Sequence, residues 1–218
     1  MKPLIILLFP LSFFAQSFKF DNAVWYMSGM NWNEEEFSVA SKDVFQTTKK
    51  VGKITSKPLV YYKLNSTQAI KLNGKETKQF FITQDSATGK VFIASFMDEE
   101  KLYPLYDFSL NIGDTINSIL TEISGLTSPM IVKEVTEETH GGKARKTLIC
   151  HIPNDGTTRT YKFIEGIGTT QGLLADINPK HKDVSVLKCY KSEGVTIYEN
   201  GECKSPPQRK RPTRSSNG

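Results

Sequence analysis

Tyr161-Lys-Phe-Ile-Glu-Gly-Ile-Gly-Thr-Thr-Gln-Gly-Leu-Leu174 is the stretch whose reading decides the fold. Tyr161 and Phe163 alternate with Lys162, so they share one face of a strand. Gly166, Gly168 and Gly172 follow before the apolar pair Leu173-Leu174. Glycine has no Cβ and reaches backbone shapes that other residues avoid, so these positions mark tight turns where side chains would clash. The stretch is expected to be the central strand of a β domain. A phosphate loop is the competing reading of Gly166-Ile167-Gly168, but it needs a following helix whose first amides face the anion. Here Thr169-Thr170-Gln171-Gly172 leads only to two leucines and then Asn178-Pro179, which favours a turn.

The same grammar extends in both directions. Phe18 to Met30 mixes aromatic and small residues as a first strand would, and Leu59 to Leu64 is a compact apolar strand. Asn73-Gly74 separates two strand-like runs, the strongest short-range hairpin signal. His140-Gly141-Gly142 joins Met130–Thr136 to Lys146–Ile152, and Ser192-Glu193-Gly194 joins Val184–Tyr190 to Val195–Tyr198. Tyr106, Phe108, Leu110 and Ile112 alternate strictly, which predicts a half-buried strand over Tyr103–Asp114. Ile116–Ile123 reads as a further short strand. No helical periodicity stands out. The chain is therefore expected to be all-β, an antiparallel β-sandwich or barrel of roughly nine to twelve strands with little helix.

Three segments differ in composition. Residues 1–15 carry Lys2 and then an apolar core from Leu4 to Phe14, the pattern of a signal peptide whose core is too short to span a bilayer. Residues 16–203 read as a single β domain with no later apolar run long enough for a membrane span. Residues 204–218 form a basic tail with Lys204, Arg209, Lys210, Arg211 and Arg214, three prolines and no acid. It is expected to be a disordered, solvated extension, with attachment to an anionic envelope or polysaccharide as its functional reading. Setting aside those five charges and Lys2 leaves 22 of the 28 basic residues against 23 acidic ones. A body so close to neutral argues against nucleic acid as a partner.

The chemistry-bearing residues are sparse. Of Cys150, Cys189 and Cys203, the last two flank the final hairpin and are expected to form a disulfide, with Cys150–Cys189 as the alternative pairing. Cys150 then reads as a buried free thiol. His151 beside it does not make a catalytic pair, because strand neighbours point to opposite faces. His140, His151 and His181 lack metal-ligand spacing, and no Gly-x-Ser-x-Gly elbow is present, so no metal, cofactor or catalytic residue is assigned. Glu34-Glu35-Glu36, Asp98-Glu99-Glu100 and Glu137-Glu138 read as solvated acidic runs rather than acid–base or calcium sites. Trp25 is expected in the core. Trp32, between two asparagines, is the candidate for stacking on a ligand's sugar ring.

Tyr106-Asp107-Phe108-Ser109-Leu110 with Gly113-Asp114, Glu165-Gly166-Ile167-Gly168 with Gly172-Leu173-Leu174, and Leu187-Lys188-Cys189-Tyr190 with Cys203 together resemble a group of uncharacterised secreted β-rich proteins of Bacteroidetes-type bacteria. The resemblance covers roughly Leu102 to Cys203 and carries no activity. It implies export, to the periplasm, the cell surface or the medium. It also implies O-glycosylation at Asp-Ser/Thr-small-apolar tripeptides, which Ser86 and Thr115 match.

The expected function is that of an exported binding or structural protein, with envelope polysaccharide or another surface protein as partner. A secreted hydrolase of envelope polymers or peptides, and a secreted inhibitor or effector, are the alternatives.

Overall fold

Residues that alternate apolar and polar side chains can bury one face only by pairing with others of their kind, and the computed structural model shows that pairing. It describes residues 18–28, 35–39, 44–46, 60–72, 75–85, 87–95, 102–153, 159–174, 185–201 and 203. In chain order the strands are β1 (Val24–Ser28), β2 (Glu35–Ser38), β3 (Val44–Gln46), β4 (Val60–Leu72), β5 (Lys75–Gln84), β6 (Val91–Ser95) and β7 (Tyr103–Tyr106). After these come β8 (Thr115–Ile116), the helix α1 (Ile119–Ile123), β9 (Met130–His140), β10 (Lys143–His151), β11 (Tyr161–Ile164), β12 (Gly168–Thr169), β13 (Val186–Ser192) and β14 (Val195–Glu199).

The larger sheet runs β14-β13-β1-β2-β4-β5-β6-β7, with β3 also on β4; the smaller runs β12-β11-β10-β9-β8, and both are antiparallel throughout. The all-β expectation holds. The count of fourteen strands among the described residues exceeds the expected range because two-residue strands such as β8 and β12 leave no alternation to read.

One hydrophobic cluster joins the two sheets. Trp25, Phe37, Leu64, Phe80, Ile82 and Leu105 of the larger sheet pack with Leu148, Tyr161 and Phe163 of the smaller. Burying side chains of this size stabilises by about 1.5–3 kcal/mol each before chain entropy is charged.

The stretch Tyr161–Leu174 ties the layers together. β11 lies between β10 and β12, next to the sheet's edge strand and not at its centre as expected. The glycine segment then leaves the sheet and is held by the other layer: Trp25 Nε1 donates to the Ile167 carbonyl at 2.8 Å, and the Tyr106 hydroxyl donates to the Leu173 carbonyl. Leu187 N donates to Thr170 O at 2.9 Å, which adds β13 to the grip.

Turn chemistry sets the hairpins. Gly141 and Gly142 have φ of 58° and 72°, and Glu193 and Gly194 have 52° and 78°. Two successive positive φ values are what a two-residue hairpin loop requires. Leu72 pairs with Lys75, so β4 and β5 form the hairpin expected around residues 73–74, which themselves lie outside the described residues.

Two strand expectations are corrected. The alternation at Tyr106–Ile112 is not a strand: β7 ends at Tyr106, and Ile112 is 67% exposed. Asp107 Oδ1 accepts from both Ser109 N and Ser109 Oγ, and Asp114 Oδ2 accepts from Asn111 N. These local side-chain bonds offer the backbone a turn in place of a ladder. Lys146 Nζ fixes the result by donating to the carbonyls of Phe108 and Leu110 at 2.7 and 2.9 Å. Ile116–Ile123 likewise splits into β8 and α1, because Ser118 caps the helix, its Oγ accepting from Leu120 N while donating to Leu105 O.

Cys189 is bonded to Cys203, with Cα atoms 5.3 Å apart, and Cys150 is free and buried. This excludes the Cys150–Cys189 alternative. Burial pushes the Cys150 thiol up to about 12, so it stays protonated and unreactive at neutral pH. Closing a ring of this length is worth about 3 kcal/mol. Adding reductant should lower the urea midpoint of the native chain and leave a Cys203→Ser variant unmoved. A native midpoint indifferent to reductant would contradict a stabilising bond.

Candidate functional site

At the β7 end of the larger sheet the β5–β6 turn, β6, β7 and the turn after β7 surround a cleft of about 350 Å³. Its lining is Asp85, Thr88, Lys90, Phe92, Pro104, Tyr106, Asp107 and Asn117. Each side chain is positioned by a local rule. Phe92 and Pro104 are register partners across β6 and β7. Proline donates no backbone hydrogen bond, which suits it to the outermost strand and disfavours a further strand there. Asn117 is exposed and immediately precedes the Ser118 cap that anchors α1 to β7.

The polar groups converge from two turns. Asp85 is buried; Oδ1 accepts from Ala87 N at 3.0 Å and Oδ2 from Thr88 Oγ1 at 2.9 Å. Gly89 N donates to Asp85 O at 2.8 Å, closing the turn that presents Lys90. Lys90 Nζ lies 2.9 Å from Asp107 Oδ2, with side chains 42% and 19% exposed. Burial alone would raise the Asp107 carboxyl, but hydrogen bonds from Ser109 and Lys90 and the charge of Lys90 together hold it below its ordinary value.

A second cluster sits at the β9–β10 hairpin. Glu138 Oε1 accepts from Lys162 Nζ at 2.7 Å, and Glu138 Oε2 lies 3.2 Å from His140 Nε2. The His140 ring is 5.4 Å from that of Tyr198. This histidine–acid pair fastens the hairpin to β14. Among the described residues no hydroxyl or thiol is hydrogen-bonded to His140. Burial would raise the Glu138 carboxyl, yet Lys162 and His140 hold it low.

A carboxyl depressed in the folded state stabilises above its unfolded pKa, and that contribution is lost as pH falls through the folded value. Asp107 and Glu138 both carry this sign. Stability should therefore decline as acid takes the chain below the ordinary carboxyl range, and Asp107→Asn should flatten part of the decline. An unchanged acid limb in urea titrations of Asp107→Asn would mean that the pair with Lys90 is not formed in solution.

The remaining sequence candidates scatter. Trp25 is fully buried in the core, as expected. Trp32, Ser86, Glu34, the run Asp98-Glu99-Glu100, His181 and the tail 204–218 lie outside the described residues. Thr115 is exposed on β8. Glu137 and Glu138 lie on β9 and are not a loop run. Lys90, Asn117 and Asp107 were not singled out as site residues from the sequence. The one local signal is the pair of Asx-type turns at Asp85 and Asp107, which follow directly on β5 and β7.

No family model, curated protein or solved structure matches the chain.

Proposed function

We propose that this protein is an exported binding module that holds part of an envelope polysaccharide in the cleft beside β7 and does not cleave it. The observation that carries the reading is how the cleft's two carboxylates are engaged. Asp85 is taken up by Ala87 N and Thr88 Oγ1, and Asp107 is held ionised by Ser109 and Lys90. Hydrolysis by paired acids needs one carboxyl that keeps its proton at working pH, a role that Asp107, bonded to Ser109 and Lys90, does not supply. Recognition asks only for fixed donors and acceptors beside an apolar floor, which Lys90, Asp107 and Asn117 around Phe92 and Pro104 supply.

Export is supported by the resemblance, by the apolar leader with its lysine, and by the Cys189–Cys203 bond, a form of cross-link that persists in oxidising compartments. Among the described residues no helix is long and apolar enough to cross a membrane. The exposure of Thr115 suits the O-glycosylation that the resemblance implies.

The test is retention of the purified chain on insoluble cell-wall polysaccharide, with release of reducing ends followed in parallel. The native protein should be retained, Lys90→Met and Asp107→Asn should elute in the void, and no reducing ends should appear. Equal retention of native and variant chains would remove the cleft from the function. Reducing ends whose release is abolished by Asp107→Asn would replace binding with hydrolysis.

A further inference from the structure

We infer that the cleft selects an uncharged sugar, gripping two adjacent hydroxyls with the Lys90–Asp107 pair; this rests on the binding reading above. Lys90 Nζ and Asp107 Oδ2 stand 2.9 Å apart and both side chains are partly open to solvent. That spacing places one fixed donor beside one fixed acceptor at hydrogen-bond range. Neighbouring hydroxyls on a pyranose ring are matched to such a pair, because one can accept from the ammonium while the other donates to the carboxylate. Both bonds are charge-assisted, the stronger class.

The charge around the pair argues for a neutral ligand. Asp85, Asp107 and Lys90 line the cleft and Lys146 acts on Asp107 from beside it, so neither sign dominates and an ionic ligand would have to compete with a pair already made. A cationic ligand would compete with Lys90 for Asp107, while Asp85 is buried and turned to Ala87 N and Thr88 Oγ1. A neutral diol joins the pair without breaking it. The floor agrees: Phe92 and Pro104, paired across β6 and β7, present carbon surface for the C–H face of a sugar ring. The Tyr106 hydroxyl is turned away to the Leu173 carbonyl, so the floor carries no polar group that a ring would strand. Asn117, exposed and lining the cleft, offers an amide to a third hydroxyl.

The experiment is titration of the full chain with methyl glucoside, methyl mannoside, methyl galactoside, glucuronate and glucosamine, followed by backbone amide shifts in NMR. At least one neutral glycoside should move the amides of Lys90, Asp107 and Asn117. The charged sugars should bind at least tenfold more weakly. Lys90→Met and Asp107→Asn should each weaken the neutral glycoside at least tenfold, while Ile112→Ser, outside the cleft, should not. Tighter or equal binding of glucuronate or glucosamine at the same amides overturns the inference and leaves the cleft as a binding site. Neutral binding that ignores both cleft variants also overturns it. If no probe moves these amides the inference falls. The cleft reading then stands or falls separately, on whether polysaccharide retention depends on Lys90.

Discussion

Gly172→Ala is expected to destabilise the chain by about 4 kcal/mol, the sum of a backbone that an L-residue adopts only under strain and an overpacked contact. Gly172 has φ of +131°, and a Cβ there would lie 1.8 Å from Met27 Sδ and 3.0 Å from its Cγ. Met27 is 2% exposed in the core, so its side chain has little room to swing away. Gly142 separates the two causes. It has φ of +72° with nothing near its Cβ position, so Gly142→Ala should show the backbone cost alone, about 1 kcal/mol. Shortening Met27 to alanine in the Gly172→Ala background should recover part of the loss, giving a favourable coupling in a double-mutant cycle. Urea midpoints of wild type, Gly172→Ala, Met27→Ala, the double variant and Gly142→Ala measure both effects. If Gly172→Ala cost no more than Gly142→Ala, the close approach of the glycine segment to β1 would not exist in solution.

Arg145→Met should cost about 3 kcal/mol, the scale for leaving two largely buried carbonyls without their donor. Arg145 is 7% exposed; its Nη1 donates to Glu165 O at 3.0 Å and its Nε to His140 O at 3.3 Å. The guanidinium thus holds the β9–β10 turn and the start of the glycine segment at once. Glu165 is equally buried, and its Oε2 accepts from Lys146 N at 3.4 Å. Methionine would fill the volume but leave two carbonyls short of donors and remove the positive charge near Glu165. Arg145→Lys should not rescue, because an ammonium cannot reproduce the planar fork. Glu165→Gln added to Arg145→Met should restore part of the stability by removing the uncompensated charge. Wild-type-like urea midpoints for Arg145→Met would show the network to be decorative.

Much of the layering was legible because its causes are local. Asn73-Gly74, Gly141-Gly142 and Glu193-Gly194 announced three hairpins through turn chemistry that acts over four residues. The Cys189–Cys203 bond followed from a hairpin that carries one cysteine back to the other. The misreading at Tyr106–Ile112 has an equally local cause: strict alternation is also what a chain of tight turns produces when Asp107 and Asp114 bond to the backbone beside them. Periodicity alone does not distinguish the two; the bonds from Ser109 to Asp107 do.

The candidate site was barely legible. Neither the pairing of Lys90 with Asp107 nor that of Phe92 with Pro104 has a sequence signature, since both depend on β6 lying against β7 at one register. The same holds for Arg145, whose value comes from the Glu165 turn folding back onto β10.

From its residues alone this chain is determined to be pleated, antiparallel and cross-linked near its C-terminal end, because alternation, turn propensity and hairpin closure are set by neighbours along the backbone. Which strands lie side by side, and so which lysine meets which aspartate at the rim of a cleft, was decided only in three dimensions. Long-range pairing is selected by the fit of one shared core, with Trp25, Tyr106 and the glycines of Tyr161–Leu174 at its seam, and no short window of sequence contains that fit.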